Sequence, residues 1–280
     1  MSTEGVKSVA PPTRLWGHAN GLDQLLEDYG GTRQIATQDF ALLTLAGHLA
    51  AHFPDQLVFK GGFVLRHVHG VQRFSQDVDA TRHSPTEDEQ KEGQFDAAEV
   101  AQVMRGASVN EIVQFAPVWP ASTDSPRSLD FERVAVSGDG VYETSVQVEI
   151  SYREQVIDPP RVVQIGPPFY EEFDVLAMAV PEMAAEKIRA LAQRTKVTDL
   201  ADLADLLQRE DCSDPDIARS IEAKFRLVRR GKANRHDRIF ANLEQIKADY
   251  DTTAPQYAPD AKSYQEAMEI VWPRIRSLIP

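Results

Sequence analysis

Helical and strand periods alternate over the first 180 residues, and only the helical period survives beyond them. From Thr37, a residue suited to an N-cap, Phe40, Leu43, Leu45 and Leu49 recur at helical spacing up to Phe53, and Pro54 ends the run. Leu57, Val58 and Phe59 then form a short apolar run stopped by Gly61 and Gly62. This predicts a buried strand meeting a tight turn, with a short helix over 62–70 beyond it. As a strand, 76–81 puts Asp77 and Asp79 on one face and Val78 and Ala80 on the other. The charged, aperiodic stretch 84–93 predicts a loop, and 95–105 a helix. Strand signals follow over 111–118, 129–136 and 141–152, the last two joined by the turn residues Ser137-Gly138-Asp139-Gly140. In the last of these Val146, Val148 and Ile150 point one way and Glu149 the other.

Paired prolines at 159–160 and 167–168 bracket one more strand, 161–165, and residues 173–180 lead into Pro181, a favoured first residue of a helix. Helical spacing then runs through 185–194, a following helix with Asp199 and Asp202, 215–231, 237–250 and 264–278, with a loop at 251–259. The expected organisation is a tail over 1–12, a core over 13–180 that includes a short helix at 19–29, and an all-helical domain over 181–280.

Charge narrows the function. The chain has 43 acidic and 30 basic residues, a formal net charge of −13, which argues against nonspecific coating of nucleic acid but allows a local basic patch. No apolar run reaches the roughly eighteen residues of a membrane span, and no charged-then-apolar leader opens the sequence, so export is not expected. The single cysteine, Cys212, rules out an internal disulfide and a cysteine-clustered zinc site, which fits a reducing cytoplasm. Its neighbours Asp211 and Asp214 oppose thiolate formation, so no nucleophilic role is expected.

Candidate chemistry concentrates in Phe59-Lys60-Gly61-Gly62-Phe63-Val64-Leu65-Arg66 and in Arg73-Phe74-Ser75-Gln76-Asp77-Val78-Asp79. Glycine permits positive φ and lets backbone N–H groups approach an anion. Arg66 and Arg73 flank the turn and could reach phosphate oxygens. Two like charges on one strand face, Asp77 and Asp79, are tolerated when a divalent cation sits between them. Ser75, two residues before Asp77, would share that face, and its hydroxyl could bind phosphate or metal. A turn able to hold a triphosphate beside a carboxylate pair able to hold Mg²⁺ is the minimal equipment for nucleotidyl transfer. His67 and His69 lie two apart in an expected helix, where side chains diverge, so they are not read as a metal clamp.

The spacing of Gly-Gly and Asp-x-Asp resembles the nucleotidyltransferase superfamily signature. The longer string Lys-Gly-Gly-x-x-Leu, then Arg-Phe-Ser-x-Asp-x-Asp, resembles the AbiEii/MenT family of toxin nucleotidyltransferases. Enzymes of this superfamily carry a third carboxylate on a neighbouring strand, for which Glu149 is the candidate and Glu143 the weaker competitor. A second block agrees in order: Ala185-Glu186-Lys187-Ile188-Arg189-Ala190-Leu191 through Arg194, then Thr198-Asp199-Leu200-Ala201-Asp202-Leu203. Thr198 stands where the family usually has arginine. Lys187 and Arg194, seven apart, share a helix face, as do Asp199 and Asp202, three apart. By the resemblance Lys187, with Lys60 as a second charge partner and Arg194 as a further contact, would neutralise nucleotide phosphates, and Asp199 or Asp202 would orient it.

The resemblance covers most of residues 40–206. It implies an α/β fold with a nucleotidyltransferase-like mixed β-sheet core flanked by helices and a C-terminal all-helical domain. It further implies one or two Mg²⁺ ions, an NTP substrate, a cognate antitoxin as partner, and nucleotide addition to the 3′ end of tRNA. In the last third Lys224, Arg226, Arg229, Arg230, Lys232, Arg235, His236 and Arg238 cluster against the net charge, as an RNA backbone requires. Arg226, Arg229, Arg230, Lys232 and Arg235 are the RNA-binding candidates. Two other readings stay open: nucleotidylation of a protein or small molecule, and a non-catalytic RNA- or partner-binding protein on a nucleotidyltransferase scaffold.

Overall fold

The computed structural model describes residues 33–83, 95–107, 114–117, 128–138, 142–166, 172–226 and 234–279. The chain folds as two compact units, one of Met1–Phe59, Gln76–Tyr152 and Val162–Leu176, the other of Lys60–Ser75, Arg153–Arg161 and Ala177–Pro280. In chain order the described elements begin with α1 (Arg33–His52), β1 (Leu57–Lys60), α2 (Gly61–His67), β2 (Asp77–Arg82), α3 (Ala97–Gly106), β3 (Gln114–Pro117), β4 (Ser128–Gly138) and β5 (Tyr142–Ser151). They continue with β6 (Arg161–Ile165), β7 (Phe173–Ala177), α4 (Val180–Leu191), α5 (Val197–Leu206), α6 (Asp214–Arg226), α7 (Arg235–Tyr257) and α8 (Tyr264–Leu278).

All seven described strands form one sheet in the order β3-β4-β5-β2-β1-β7-β6, which, a few end residues apart, belongs to the first unit. β2 runs parallel to β5, whereas β3 with β4 and β4 with β5 are antiparallel, so the sheet is mixed. Alternation dictates its faces. Val78, Ala80, Val146, Val148 and Ile150 are buried, and α1, with Phe40, Leu42, Leu43, Leu45 and Leu49 buried, packs against β2, β4 and β5. Gln38 Nε2 donates to the Ser145 carbonyl over 2.9 Å and ties the helix to β5. Thr37, expected as an N-cap, lies buried inside α1, because Ala36 is buried as well and the packed face extends the helix upstream of it. α3 starts where Asp96 caps it, accepting from the Ala98 N–H at 2.8 Å.

The second unit is built on helices. α4 packs against α5, α6 and α7, and α8 packs against α5, α6 and α7, around Ile188, Leu191, Leu200, Leu203, Ile217, Ile221, Phe225, Leu243, Val271 and Ile275. Ser263 and Glu266 form a reciprocal capping box at the start of α8. The loop expected over 251–259 is largely helix: α7 continues to Tyr257 across Pro255. Tyr250 and Ala254 keep the buried face going, and Pro255 sits so near the end that its missing N–H removes one bond from a terminal turn. The expected tail 1–12, the helix at 19–29, the loop at 84–93 and the turn residues Asp139 and Gly140 lie outside the described residues.

Candidate active site

In the first unit, parallel pairing of β2 with β5 sets Asp77 opposite Gln147 and Asp79 opposite Glu149. Residues in register share a face, so Asp77, Asp79 and Glu149 stand together on the side opposite the buried Val78, Ala80 and Val148. Asp77 and Asp79 are half-buried and Glu149 is exposed. Their oxygens are the hard donors that Mg²⁺ takes, on strands stiffened by a full ladder. Among the described residues, no three carboxylate, imidazole or thiol groups already converge closely enough to hold a metal ion. The side chain of Glu143 lies outside the described residues.

In the second unit, Gly61 opens α2 at φ 68°, a left-handed conformation that favours glycine. Gly62 is required for a different reason. A Cβ there would lie 2.5 Å from Arg73 Nη2 and 2.6 Å from Ser75 Oγ. Arg73 cannot swing aside freely, because its Nη1 donates to both Asp202 oxygens at 2.7 and 2.6 Å and its Nε and Nη2 donate to the Phe74 carbonyl. Arg66 is likewise buried, with Nη1 donating to the Arg73 carbonyl at 2.6 Å and its guanidinium 4.9 Å from the Phe74 ring centre. Both arginines, expected to reach phosphate, thus brace the segment between the glycines and Ser75.

Asp202 also takes the Lys187 ammonium at 2.7 Å, and Asp199 takes it at 3.0 Å. Asp199 in turn accepts two hydrogen bonds from Arg194, at 2.7 and 3.0 Å. Burial alone would lower the Lys187 pKa, but Asp202 and Asp199 outweigh it and push it above the usual lysine range. Burial would likewise raise Asp199, yet Lys187 and Arg194 hold it well below the usual carboxylate range. Lys187 is therefore a fixed cation. Two of its three ammonium hydrogens are directed at carboxylates, leaving one donor for a ligand.

A second network, which the sequence reading did not assemble, surrounds Lys60. This lysine, expected to meet phosphate, is buried and ion-paired with Glu154 and, at 3.3 Å, with Glu186. Burial opposes its charge, and those two carboxylates overcome the penalty, so its pKa is raised. Glu154 also takes Arg189 at 2.8 Å; Lys224 bridges Glu186 at 2.9 Å and Glu182 at 2.6 Å. Glu182 accepts the N–H groups of Ile157 and Asp158, both at 3.0 Å. Lys60, Glu186 and Arg189 lie in the quoted motifs and Lys224 in the basic cluster; nothing local marks Glu154 as their partner.

The model of the family described as nucleotidyl transferase AbiEii toxin, type IV TA system, matches residues 44–272. The chain belongs to this family. Its fold is similar to that of JHP933 from Helicobacter pylori, at 18% identity and a TM-score of 0.54 over 88% of this chain and 92% of that one. It is also similar to MenT4, a nucleotidyltransferase toxin from Mycobacterium tuberculosis H37Rv, at 18% identity and a TM-score of 0.54 over 92% and 88%. No curated protein matches. The AbiEii fold is thus the mixed-sheet nucleotidyltransferase core with C-terminal helices that the resemblance implied.

The basic cluster is corrected in part. Lys224 is 1% exposed and spent on Glu182 and Glu186, and Arg235 is buried, donating to Glu222 at 2.9 Å above the Phe225 ring. Neither presents a cation to a ligand, because each neutralises a carboxylate within the helical unit. Arg226 is exposed, and Arg229, Arg230 and Lys232 lie outside the described residues. Cys212 is buried, and burial pushes its thiol up to about 11, which agrees with an inert cysteine.

Proposed function

We propose that this AbiEii-family chain is a Mg²⁺-dependent toxin nucleotidyltransferase that moves a nucleoside monophosphate from an NTP to an RNA 3′ hydroxyl, that of tRNA foremost, with loss of pyrophosphate. The observation that carries the reading is the register that sets Asp79 beside Glu149 with Asp77 on the same face. Asp77 and Asp79 would ligate the cation, and Glu149 would complete its shell or take the proton of the acceptor hydroxyl. Bound there, Mg²⁺ would offset charge on the α-phosphate and the departing pyrophosphate. The acceptor oxygen bonds to the α-phosphorus as the bond to the pyrophosphate oxygen breaks, and positioning supplies most of the catalysis.

The backbone N–H groups at Gly61 and Gly62 and the Ser75 hydroxyl would hold the triphosphate. Lys187, kept charged by Asp199 and Asp202, would meet it with its remaining donor, and Arg194, whose side chain is about half exposed, would add a second cation. Arg66, Arg73 and Lys60 serve to hold this segment in shape. A cognate antitoxin would restrain the enzyme, and NTP and tRNA as substrates would call for a cytoplasmic location. Among the described residues, no helix is long and apolar enough to cross a membrane.

Incubation with each α-labelled NTP and total RNA tests the reading. Label in the tRNA fraction is expected. Label in protein or small molecules alone would transfer the chemistry to another acceptor, and no label with any NTP would defeat the enzyme reading.

A further inference from the structure

Glu154 receives two cations, and one of them belongs to the residue that opens the glycine turn. Lys60 immediately precedes Gly61, whose φ of 68° leads the chain into α2, and its ammonium meets Glu154 Oε2 with both side chains buried. Glu154 Oε1 takes Arg189 Nη2 at 2.8 Å, while the buried Nε of Arg189 has no hydrogen-bond partner. The two oxygens of one carboxylate thus tie the start of the turn to α4. Glu186 gives Lys60 a second, longer contact at 3.3 Å, but it also serves Lys224 at 2.9 Å. Without Glu154, Lys60 and Lys224 would compete for Glu186, and Arg189 would lose a carboxylate partner.

The same segment is held again further along. Arg73 donates to both Asp202 oxygens, and Asp202 also takes Lys187 at 2.7 Å. Segment 60–75 is therefore pinned at its start through Glu154 and near its end through Asp202, with Gly61 and Gly62 between the pins. All of these residues belong to the second unit. We propose that Glu154 is a positioning residue for nucleotide binding: by holding Lys60 beside Arg189 it sets the glycine turn at the distance from Lys187 that a triphosphate requires. This rests on the reading of the turn and Lys187 as the triphosphate site. It also gives Lys60 a role other than phosphate contact, because its charge is spent on Glu154 and Glu186.

The test uses the full chain with the NTP that wild type transfers best, measuring steady-state transfer, NTP affinity by calorimetry with Mg²⁺, and melting temperature. Glu154→Ala is expected to raise KM for NTP about tenfold or more with kcat within about threefold of wild type. Lys60→Met should do the same, and Lys60→Met/Glu154→Ala no more than either alone, because both act through one pair. Glu154→Leu/Arg189→Met removes the carboxylate together with its second cation and leaves Lys60 on Glu186, so it keeps the fold should Glu154→Ala lose it. The same rise in KM is expected of it. Wild-type KM in a folded Glu154 variant, with only the melting temperature lowered, would make Glu154 a stabilising residue and overturn the proposal. Tighter NTP binding by Glu154→Ala would mean that the freed Lys60 meets phosphate, and multiplying effects in the double variant would mean two independent contacts; either overturns it. These outcomes leave the transferase reading standing as long as wild type transfers nucleotide. If wild type neither binds nor transfers any NTP, that reading fails and the positioning role with it.

Discussion

Gly62 shows how one missing side chain can organise a site. The space its Cβ would fill is taken by Arg73 and Ser75, and Arg73 is itself pinned by Asp202. Gly62→Ala must therefore displace Ser75 or break the Arg73–Asp202 pair. Nucleotide transfer is expected to fall at least about tenfold, with KM for NTP raised, as steady-state kinetics would show. Asp199 makes a sharper prediction. It is fully buried and bound to Lys187 and Arg194, so Asp199→Ala leaves a buried ammonium with one carboxylate fewer and should cost about 3–5 kcal/mol at neutral pH in denaturant unfolding. The folded-state pKa of Asp199 is depressed, so its contribution is present above the ordinary aspartate pKa of about 3.9 and is lost as pH falls through and below that value. The gap between wild type and variant should accordingly narrow in acid. At this scale the sequence was informative where the signal was local: two glycines, Asp-x-Asp and the seven-residue spacing of Lys187 and Arg194. It was silent on which carboxylate each buried cation would find, because Lys60 meets Glu154 across 94 positions and Arg73 meets Asp202 across 129.

Among elements, strands were the more legible. Alternation in 76–81 and in 141–152 indicated which residues share a face before any pairing was known, and the parallel register of β2 with β5 then placed Glu149 beside Asp79. Helix ends were less legible, since burial extends α1 before Thr37 and α7 past Pro255. The end of α2 carries a pH prediction. His69 lies beyond that helix, and burial, followed by the nearby Arg209, lowers its pKa to about 4. The unfolded chain binds this proton near pH 6.5 and the folded chain does not, so the contribution of His69 to stability is intact above that pH and declines as pH falls toward 4. His69→Phe should flatten the melting temperature between those limits relative to wild type; an unchanged slope would remove His69 as the cause.

For the molecule as a whole, the helical unit captures two segments, 60–75 and 153–161, from a stretch that otherwise folds as the sheet unit. Nothing in a periodicity reports such an exchange. The physical reason is the network of Lys60, Arg189 and Lys224 with Glu154, Glu182 and Glu186, three cations and three carboxylates that satisfy one another away from water. Lys224→Met would leave Glu182 and Glu186 facing each other without their shared cation. It should lower stability by about 3–5 kcal/mol while sparing RNA binding, the reverse of what a surface RNA-contacting lysine would do. A filter-binding assay beside a denaturant melt separates the two.

The central claim is that Asp77 and Asp79 carry the chemistry. The most direct measurement is transfer from an α-labelled NTP by wild type and by Asp77→Ala under the same Mg²⁺ concentration, with the melting temperature of each recorded. Asp77 is half-buried on a strand face, so the variant should fold as wild type while its transfer rate falls at least about a hundredfold. A folded Asp77→Ala protein that transfers nucleotide at the wild-type rate would contradict the account.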